Sequence, residues 1–312
     1  MKNTKFIFAL MISAVFLSFD VYAQSITGEP CGDDCTWHLE SGVLTVTGSG
    51  RIKGYNRDCS NLESTGRCTT DAPWFNYAEN IEKVVIQNKS DEARFETIGA
   101  HAFEDMHYTQ QVVLPQGLKT IENEAFHGNH ALEKINLPDT LESIGNWGLS
   151  ATNFSKIDIP SSVKSIGAAA FTDSNLQELI FPDGVTLTYN RICDSCENLE
   201  TVIFGKNINY NKYDGEIGPF GLDTLLQNLY CPAENLQVCE KILHDSGKND
   251  DEIQTILHSY TKDGSRYVLD GRLYQSAEDM KNGHVFIPKR IYTIDEANQV
   301  SGKTNTFSIR YR

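Results

Sequence analysis

The sequence predicts a β-rich solenoid of about five coils of 21–23 residues, with a β-hairpin cap before it and a small α+β module after it. Three observations support this prediction: an internal repeat, an alternating hairpin pattern before the repeat, and mixed helix and strand patterns after it. The repeat units begin at Ile98, Ile121, Ile144, Ile166 and Leu187. A proline recurs in the first four units, at Pro115, Pro138, Pro160 and Pro182. So many copies in step indicate stacked coils, because chance self-similarity rarely persists at one period.

Each unit supplies one short strand with alternating apolar residues, as in residues 132–137, and a second apolar group such as Leu141 and Ile144. A single coil cannot bury these side chains, whereas stacked coils form a continuous core. The proline ends each strand because it lacks a backbone N–H. The short segment between strands predicts tight turns rather than long helices. We expect two internal ladders, one of Ile98, Ile121, Ile144 and Ile166, the other of Phe103, Phe126, Leu149 and Phe171.

The N-terminal flank predicts an export signal and a cap. Residues 1–23 combine Lys2 and Lys5, an apolar run over 6–19 and small residues before Gln24, a pattern typical of a secretory signal peptide. Residues 24–90 are predicted to form a β cap, because apolar residues alternate on both sides of a Glu-Ser-Gly turn at 40–42. The cap protects the open end of the solenoid.

The C-terminal flank, residues 233–312, predicts a compact α+β capping module. A helix follows Pro232, and a second short helix runs through Ile253 and Ile256. Strands are predicted around 267–269, 285–287 and 307–311. Capping-box spacing at Thr293 and Glu296 predicts a further small helix.

Eight cysteines form four close couples, which favours disulfides in an oxidising compartment. The couples are Cys31/Cys35, Cys59/Cys68, Cys193/Cys196 and Cys231/Cys239. Cys193 and Cys196 have a second interpretation as small buried thiols. A redox role for this C-x-x-C pair would require the strand and helix of a thioredoxin-like fold, whereas the local sequence continues the repeat. The sequence alone leaves the connectivity open.

Charge and motif content argue against several function classes. The net charge of −15 repels nucleic acid and anionic lipid, and no run after the leader is long enough to cross a membrane. No G-x-S-x-G, Walker, dinucleotide-binding or H-E-x-x-H motif occurs. We therefore expect no catalytic residues, no cofactor and a monomeric binding protein. A hydrolase hidden in the C-terminal module is the weakest alternative.

The repeat resembles the BspA-like leucine-rich repeats of secreted and surface bacterial proteins. The resemblance rests on I-G-x-x-A-F and L-x-x-I-x-L-P, seen here as IGAHAF, IENEAF, IGAAAF, LEKINLP and LQELIFP. It covers residues 91–232, and the hairpin before them is similar to the cap that opens such proteins. It implies a leucine-rich-repeat solenoid and a binding or adhesion function. Trp147-Gly148-Leu149 in the third unit, and the loss of Ile-Gly and proline in the fifth, predict distorted coils there.

The repeat strands predict a ligand-binding face, because alternate strand residues point outward. The outward residues are predicted to be Val113, Asn136, Asp158, Ile180 and Ile203, with Lys134, Lys156 and Glu178 beside them. An exposed apolar row with charged edges is typical of a binding patch. Two alternatives stay open: the β-branched residues serve only sheet stability, or the C-terminal module folds back over Ile180 and Ile203.

His107 and His130 occupy equivalent places on neighbouring coils and could share a metal ion or respond to pH. Two loop histidines on a polar edge are the favoured interpretation, so no metal site is predicted. The sequence thus favours an exported, non-enzymatic protein that binds a protein or cell-surface ligand through the repeat face. The alternative is an envelope scaffold whose contacts are made by the C-terminal module. Export leaves two locations open, the cell exterior and a periplasm.

Overall fold

The computed structural model describes residues 25–284, apart from 29, 33, 66–67, 189–190, 212–217, 222–224, 264 and 271. The predicted signal peptide therefore lies outside the described residues. So do the predicted strands at 285–287 and 307–311 and the predicted helix after Thr293.

The described residues begin with an antiparallel hairpin, and its second strand leads into the coils. The elements of this region are β1 (Ile26–Thr27), β2 (Asp34–Glu40), β3 (Val43–Ile52), β4 (Arg57–Asp58), α1 (Leu62–Thr65), β5 (Thr69–Thr70) and a 3₁₀ helix (Phe75–Asn80). The long strand β3 pairs with β2 and also begins both parallel sheets of the solenoid. A register shift at Gly50/Arg51 separates its two roles.

Each coil contributes one strand to a front sheet and one to a back sheet. The front strands are β6 (Lys83–Asn88), β8 (Gln111–Val113), β10 (Lys134–Asn136), β12 (Lys156–Asp158), β14 (Glu178–Ile180), β16 (Thr201–Ile203) and β18 (Asn228–Pro232). The back strands are β7 (Phe95–Ile98), β9 (Thr120–Ile121), β11 (Ser143–Ile144), β13 (Ser165–Ile166), β15 (Thr186–Thr188) and β17 (Asn209–Asn211). Wherever neighbouring strands of these rows pair, they pair in parallel, as stacked coils require.

Both predicted ladders are confirmed. Ile98, Ile121, Ile144 and Ile166 are register partners on successive back strands, and all are buried. Phe103 and Phe126 stack with ring centroids 5.3 Å apart. Trp74 continues this ladder into the N-terminal cap, 5.0 Å from Phe103, and its indole N–H donates to the Ala102 carbonyl. The cap therefore shares the aromatic core of the coils.

Turns connect the two sheets, as the short segments predicted. Two positions per coil adopt the left-handed backbone conformation, which lets the chain reverse without a helix. The first position is occupied by His101, Glu124, Trp147, Ala169 and Arg191, with φ between 54° and 60°. The second is occupied by Asp105, Gly128, Ala151, Asp173 and Ser195. We call the first series the turn row.

The expected distortion of the atypical coils is only partly found. In the third unit, the described strands β10 and β12 do not pair, so the front sheet is interrupted there. In the back sheet, however, β11, β13 and β15 stay in register through both atypical units. Leu149 fills the phenylalanine position of the third coil, and the Cys193–Cys196 disulfide fills that of the fifth. Volume, rather than residue identity, keeps the coils stacked.

Four disulfides join the eight cysteines: Cys31–Cys35, Cys59–Cys68, Cys193–Cys196 and Cys231–Cys239. Each closes a short local loop within the cap, one coil or the C-terminal flank. Cys193 and Cys196 are fully buried in the solenoid core and lie in a turn. This setting is that of a structural bridge, with no access for a redox partner.

The C-terminal segment begins with a 3₁₀ turn (Ala233–Asn235) and continues through α2 (Leu236–Asp245), α3 (Asp250–Ile256), β19 (Leu257–Asp263), β20 (Arg266–Leu269), β21 (Arg272–Tyr274) and α4 (Ala277–Lys281). Helix α2 closes the inner core with Cys239, Ile242 and Leu243. Strand β19 extends the front sheet beyond β18, and β20 and β21 continue the same sheet as antiparallel strands. Tyr274 of β21 and Met280 of α4 pack in one apolar cluster with the outward Ile203.

The front strand face as candidate functional site

The outward side of the front sheet divides into two regions. We define the open face as the outward side chains of β3, β6, β8 and β10, which no described segment covers. The covered face consists of the outward side chains of β14, β16 and β18, which pack under the C-terminal segment. Strand β12 lies between the two.

Strand register arranges the open face in two rows. The first row runs from Val43 through Lys83 and Gln111 to Lys134. The second runs from Thr45 through Val85 and Val113 to Asn136. Neighbouring strands lie about 4.8 Å apart, so each row presents one side chain at that interval.

Five of the eight predicted ligand-binding residues lie on or beside the open face. Val113 is half-buried, while Lys134, Asn136, Lys156 and Asp158 are exposed. Asn136 also has a structural role. Its side-chain oxygen accepts from the Leu114 N–H at 3.2 Å, and its amide donates to the Leu114 carbonyl at 3.3 Å. This side chain therefore ties its coil to the preceding one.

The expectation that Ile203, and Glu178 beside the apolar row, are exposed is wrong, and Ile180 is half-buried. Ile203 is 2% exposed, and Ile180 packs against the same apolar cluster. Tyr230, Tyr260, Tyr274 and Met280 complete this cluster. The reason for the burial is the fold-back of the C-terminal segment, one of the two alternatives that the sequence leaves open for Ile180 and Ile203.

Ion pairs reinforce the cover. The buried carboxylate of Glu178 accepts from Lys281 of α4 and lies 3.3 Å from the Lys156 ammonium. Lys156 also lies 3.6 Å from Glu278. Of the predicted site residues, Lys156 and Glu178 thus take part in attaching the C-terminal segment.

The back sheet carries its own charges, and two of them are paired across coils. A shallow groove at its edge is lined by Glu96, Lys119, Glu142 and Lys164, which recur at one position of successive coils. Lys119 donates to Glu96 at 3.0 Å, and this hydrogen bond raises the pKa of Lys119. Lys119 and Glu96 thus already have partners within the protein.

A buried ionic cluster, which sequence reasoning missed, joins the cap to the first two coils. Arg57 lies 2.7 Å from Glu104 and 2.7 Å from Glu124, and His101 contacts Glu104 at 2.6 Å. The Glu104 side chain is fully buried, and this burial raises its pKa to about 7. Arg57 lies far in sequence from Glu104 and Glu124, so no local pattern signals its place in the cluster.

Metal binding does not follow from these groups. Among the described residues, His101, Glu104 and Glu124 are the one set with three donor atoms at metal-binding distances. The Arg57 guanidinium already contacts both carboxylates, so a cation would have to displace it.

His107 and His130 lie side by side on neighbouring coils. Their ring centroids are 5.1 Å apart, and Asp105 lies 3.4 Å from His107. Burial, together with the nearby His107, lowers the pKa of His130.

Comparison with known proteins supports the interpretation of the repeats as leucine-rich repeats. Residues 96–214 match the sequence profile of the BspA type leucine-rich repeat region, in six copies. The repeats of this chain are BspA-type leucine-rich repeats. Proteins with BspA-type repeats are generally binding or surface-associated proteins without catalytic activity, and their external location agrees with the four disulfides.

Solved structures of bacterial leucine-rich repeat proteins are also similar to this chain. A protein from Eubacterium ventriosum is 20% identical, with a TM-score of 0.49, and the match covers 59% of this chain. This chain spans 45% of that protein's length. The T. pallidum leucine-rich repeat protein TpLRR is 16% identical, with a TM-score of 0.41. The match covers 67% of this chain and 90% of that protein.

A leucine-rich cell surface protein from Faecalibacterium prausnitzii is 14% identical, with a TM-score of 0.30, over 65% of this chain and 76% of its own. No curated protein matches the sequence. Within the described residues, no helix combines the length and the apolar character needed to span a membrane.

Proposed function

We propose that this chain is an exported binding protein that contacts a protein partner through the open face, without catalysing a reaction. The observation that carries the proposal is the contrast along the front sheet. At one end the chain covers its own apolar strand residues, and at the other it leaves Val85 and Val113 accessible beside unshielded polar groups. A flat face with a few apolar side chains and a polar rim suits protein recognition.

Export and adhesion form the finer part of this proposal. Four disulfides suit an oxidising compartment, and the N-terminal sequence is typical of a secretory leader. We propose that the protein acts as a monomer at the cell surface, where binding to a host or bacterial surface protein would constitute adhesion. Protease treatment of intact cells of the native host tests the location. Loss of the protein supports surface exposure, whereas protection until the envelope is broken contradicts it.

Site-specific photocrosslinking tests the binding face directly. A photoreactive amino acid replaces Val113 in one variant and Thr120, an outward residue of the back sheet, in a control variant. In intact cells we expect the Val113 variant to form a discrete crosslinked product and the Thr120 variant to form none. Equal crosslinking at both positions, or crosslinking at Thr120 alone, would contradict the proposed face.

A further inference from the structure

Two lysines on the open face have no acidic partner. Within the described part of the chain, neither Lys83 nor Lys134 makes an ion pair or a side-chain hydrogen bond. Most other described lysines do: Lys89 with Asp34, Lys119 with Glu96, Lys156 with Glu178, Lys206 with Glu234, Lys241 with Asp245, Lys262 with Asp183 and Lys281 with Glu278. In a chain of net charge −15, where carboxylates are abundant, two unpaired ammonium groups on one face are a distinct feature.

The two lysines act together because of strand register. Lys83, Gln111 and Lys134 are direct neighbours across β6, β8 and β10. Their outer members are therefore separated by two strand spacings, about 10 Å. Two acidic side chains of one peptide can span this distance.

The apolar part of the face lies directly beside the cations. Val85 and Val113 are register partners, and Val85 follows Lys83 by two residues on the same side of its strand. Both valines are half-buried, so each still offers surface to a ligand. A ligand that fits this face combines negative charge with apolar side chains.

The surrounding carboxylates favour a short acidic segment over a long polyanion. Glu133 directly precedes Lys134, and Asp158 occupies the equivalent strand position on the coil after Asn136; both are exposed. A polysaccharide or nucleic acid with charge along its whole length would pass these carboxylates and be repelled. It would also gain nothing from the valines. Charge complementarity thus points to a peptide.

We propose that the open face recognises a peptide segment in which acidic and apolar side chains occur together, with its carboxylates on Lys83 and Lys134 and its apolar side chains on Val85 and Val113. This inference rests on the proposed function, since it assumes that the open face binds a protein. It adds the chemistry of the partner.

Binding of defined peptides to the purified full chain tests the inference. The probe is a short fluorescein-labelled peptide in which glutamate alternates with leucine. One comparison peptide carries lysine in place of glutamate, and the other carries serine in place of leucine. We expect the first peptide to bind, its affinity to fall as salt is added, and both comparison peptides to bind at least several-fold more weakly.

Charge reversal identifies the site. The double variant Lys83→Glu/Lys134→Glu should weaken binding of the acidic peptide by roughly tenfold, since two attractions become repulsions. The matched control is Lys248→Glu, which reverses a half-buried lysine that also makes no ion pair and lies after α2. It should leave the affinity unchanged. Thermal unfolding of all variants verifies that they are folded.

Three outcomes would overturn the acidic-peptide inference: no binding of the glutamate–leucine peptide, an equal loss in Lys248→Glu, or equal binding of polyglutamate, which would indicate a general polyanion site. The photocrosslink at Val113 is independent of these results. If it persists while the peptide fails to bind, the open face binds a partner of different chemistry. If it disappears as well, the proposed function fails.

Discussion

The open and covered faces occupy the same position of the repeat but serve different purposes. Val113 on the open face and Ile203 on the covered face are each the last residue of the front strand of their coil, and both point outward. Val113 keeps contact with solvent, whereas Ile203 is 2% exposed beneath aromatic side chains. The repeat pattern fixes what points inward. What an outward residue does depends on whether another part of the chain reaches it.

The two faces should therefore respond differently to the same mutation. Ile203→Asp places a carboxylate among Tyr230, Tyr260 and Met280, and we expect it to lower the free energy of unfolding by about 4 kcal/mol. Val113→Asp, the matched change on the open face, should lower it by less than about 1 kcal/mol. Urea unfolding followed by circular dichroism measures both. Similar losses at the two positions would refute the division of the front sheet.

Stability measured at several pH values extends the comparison to the N-terminal end, where the ionic cluster around Glu104 joins the cap to the coils. Its pKa is raised from an ordinary 4.5 to about 7, so the folded protein binds a proton more readily than the unfolded chain. The contribution of this group to stability therefore decreases as the pH rises from 4.5 to 7. In Glu104→Gln this decrease should be absent, which changes the stability difference between the two proteins by up to about 3 kcal/mol across that window.

Urea unfolding at pH 5 and pH 7.5 provides the measurement, with Glu133→Gln, at an exposed carboxylate, as the control. His127, whose pKa is lowered by burial, destabilises the protein as the pH falls below its ordinary value. It is present in both proteins, so its effect cancels when they are compared at each pH. A constant difference between Glu104→Gln and the natural protein at all pH values would show that Glu104 titrates normally.

The smallest expected effect concerns the dual role of Asn136 on the open face. Asn136→Ala removes two hydrogen bonds to the backbone of Leu114 and should lower the free energy of unfolding by about 1 kcal/mol. Asp158→Ala, at the exposed equivalent position of the next coil, should change it by less than about 0.5 kcal/mol. Chemical denaturation measures both. No loss in Asn136→Ala would mean that this side chain is free to serve a ligand alone.

Much of the fold follows from the sequence because inward residues repeat. The period predicted the isoleucine ladder from Ile98 to Ile166 and the turns between strands, and the alternation around residues 40–42 predicted the β hairpin before them. It also predicted the side of the sheet on which Val113 and Lys134 lie. These features depend on short-range order and on period, both of which a single sequence displays.

The remaining features depend on contacts between distant segments. The burial of Ile203 is decided by Tyr260, Tyr274 and Met280, more than fifty residues further on. Arg57 reaches Glu124 from the cap, and the two residues share no local motif. The continuity of the fifth coil depends on the Cys193–Cys196 bridge filling a phenylalanine-sized space. None of these outcomes has a periodic signature.

The turn row carries a consequence for how such a molecule can evolve. Its five members, His101, Glu124, Trp147, Ala169 and Arg191, share one backbone conformation and no common chemistry. Their backbone joins the turns of successive coils through hydrogen bonds, such as that from the Glu124 N–H to the Asn146 carbonyl. Some members have also acquired side-chain contacts, as His101 and Glu124 have in the ionic cluster around Glu104. The same backbone turn can thus carry a different side chain, with a different task, in each coil.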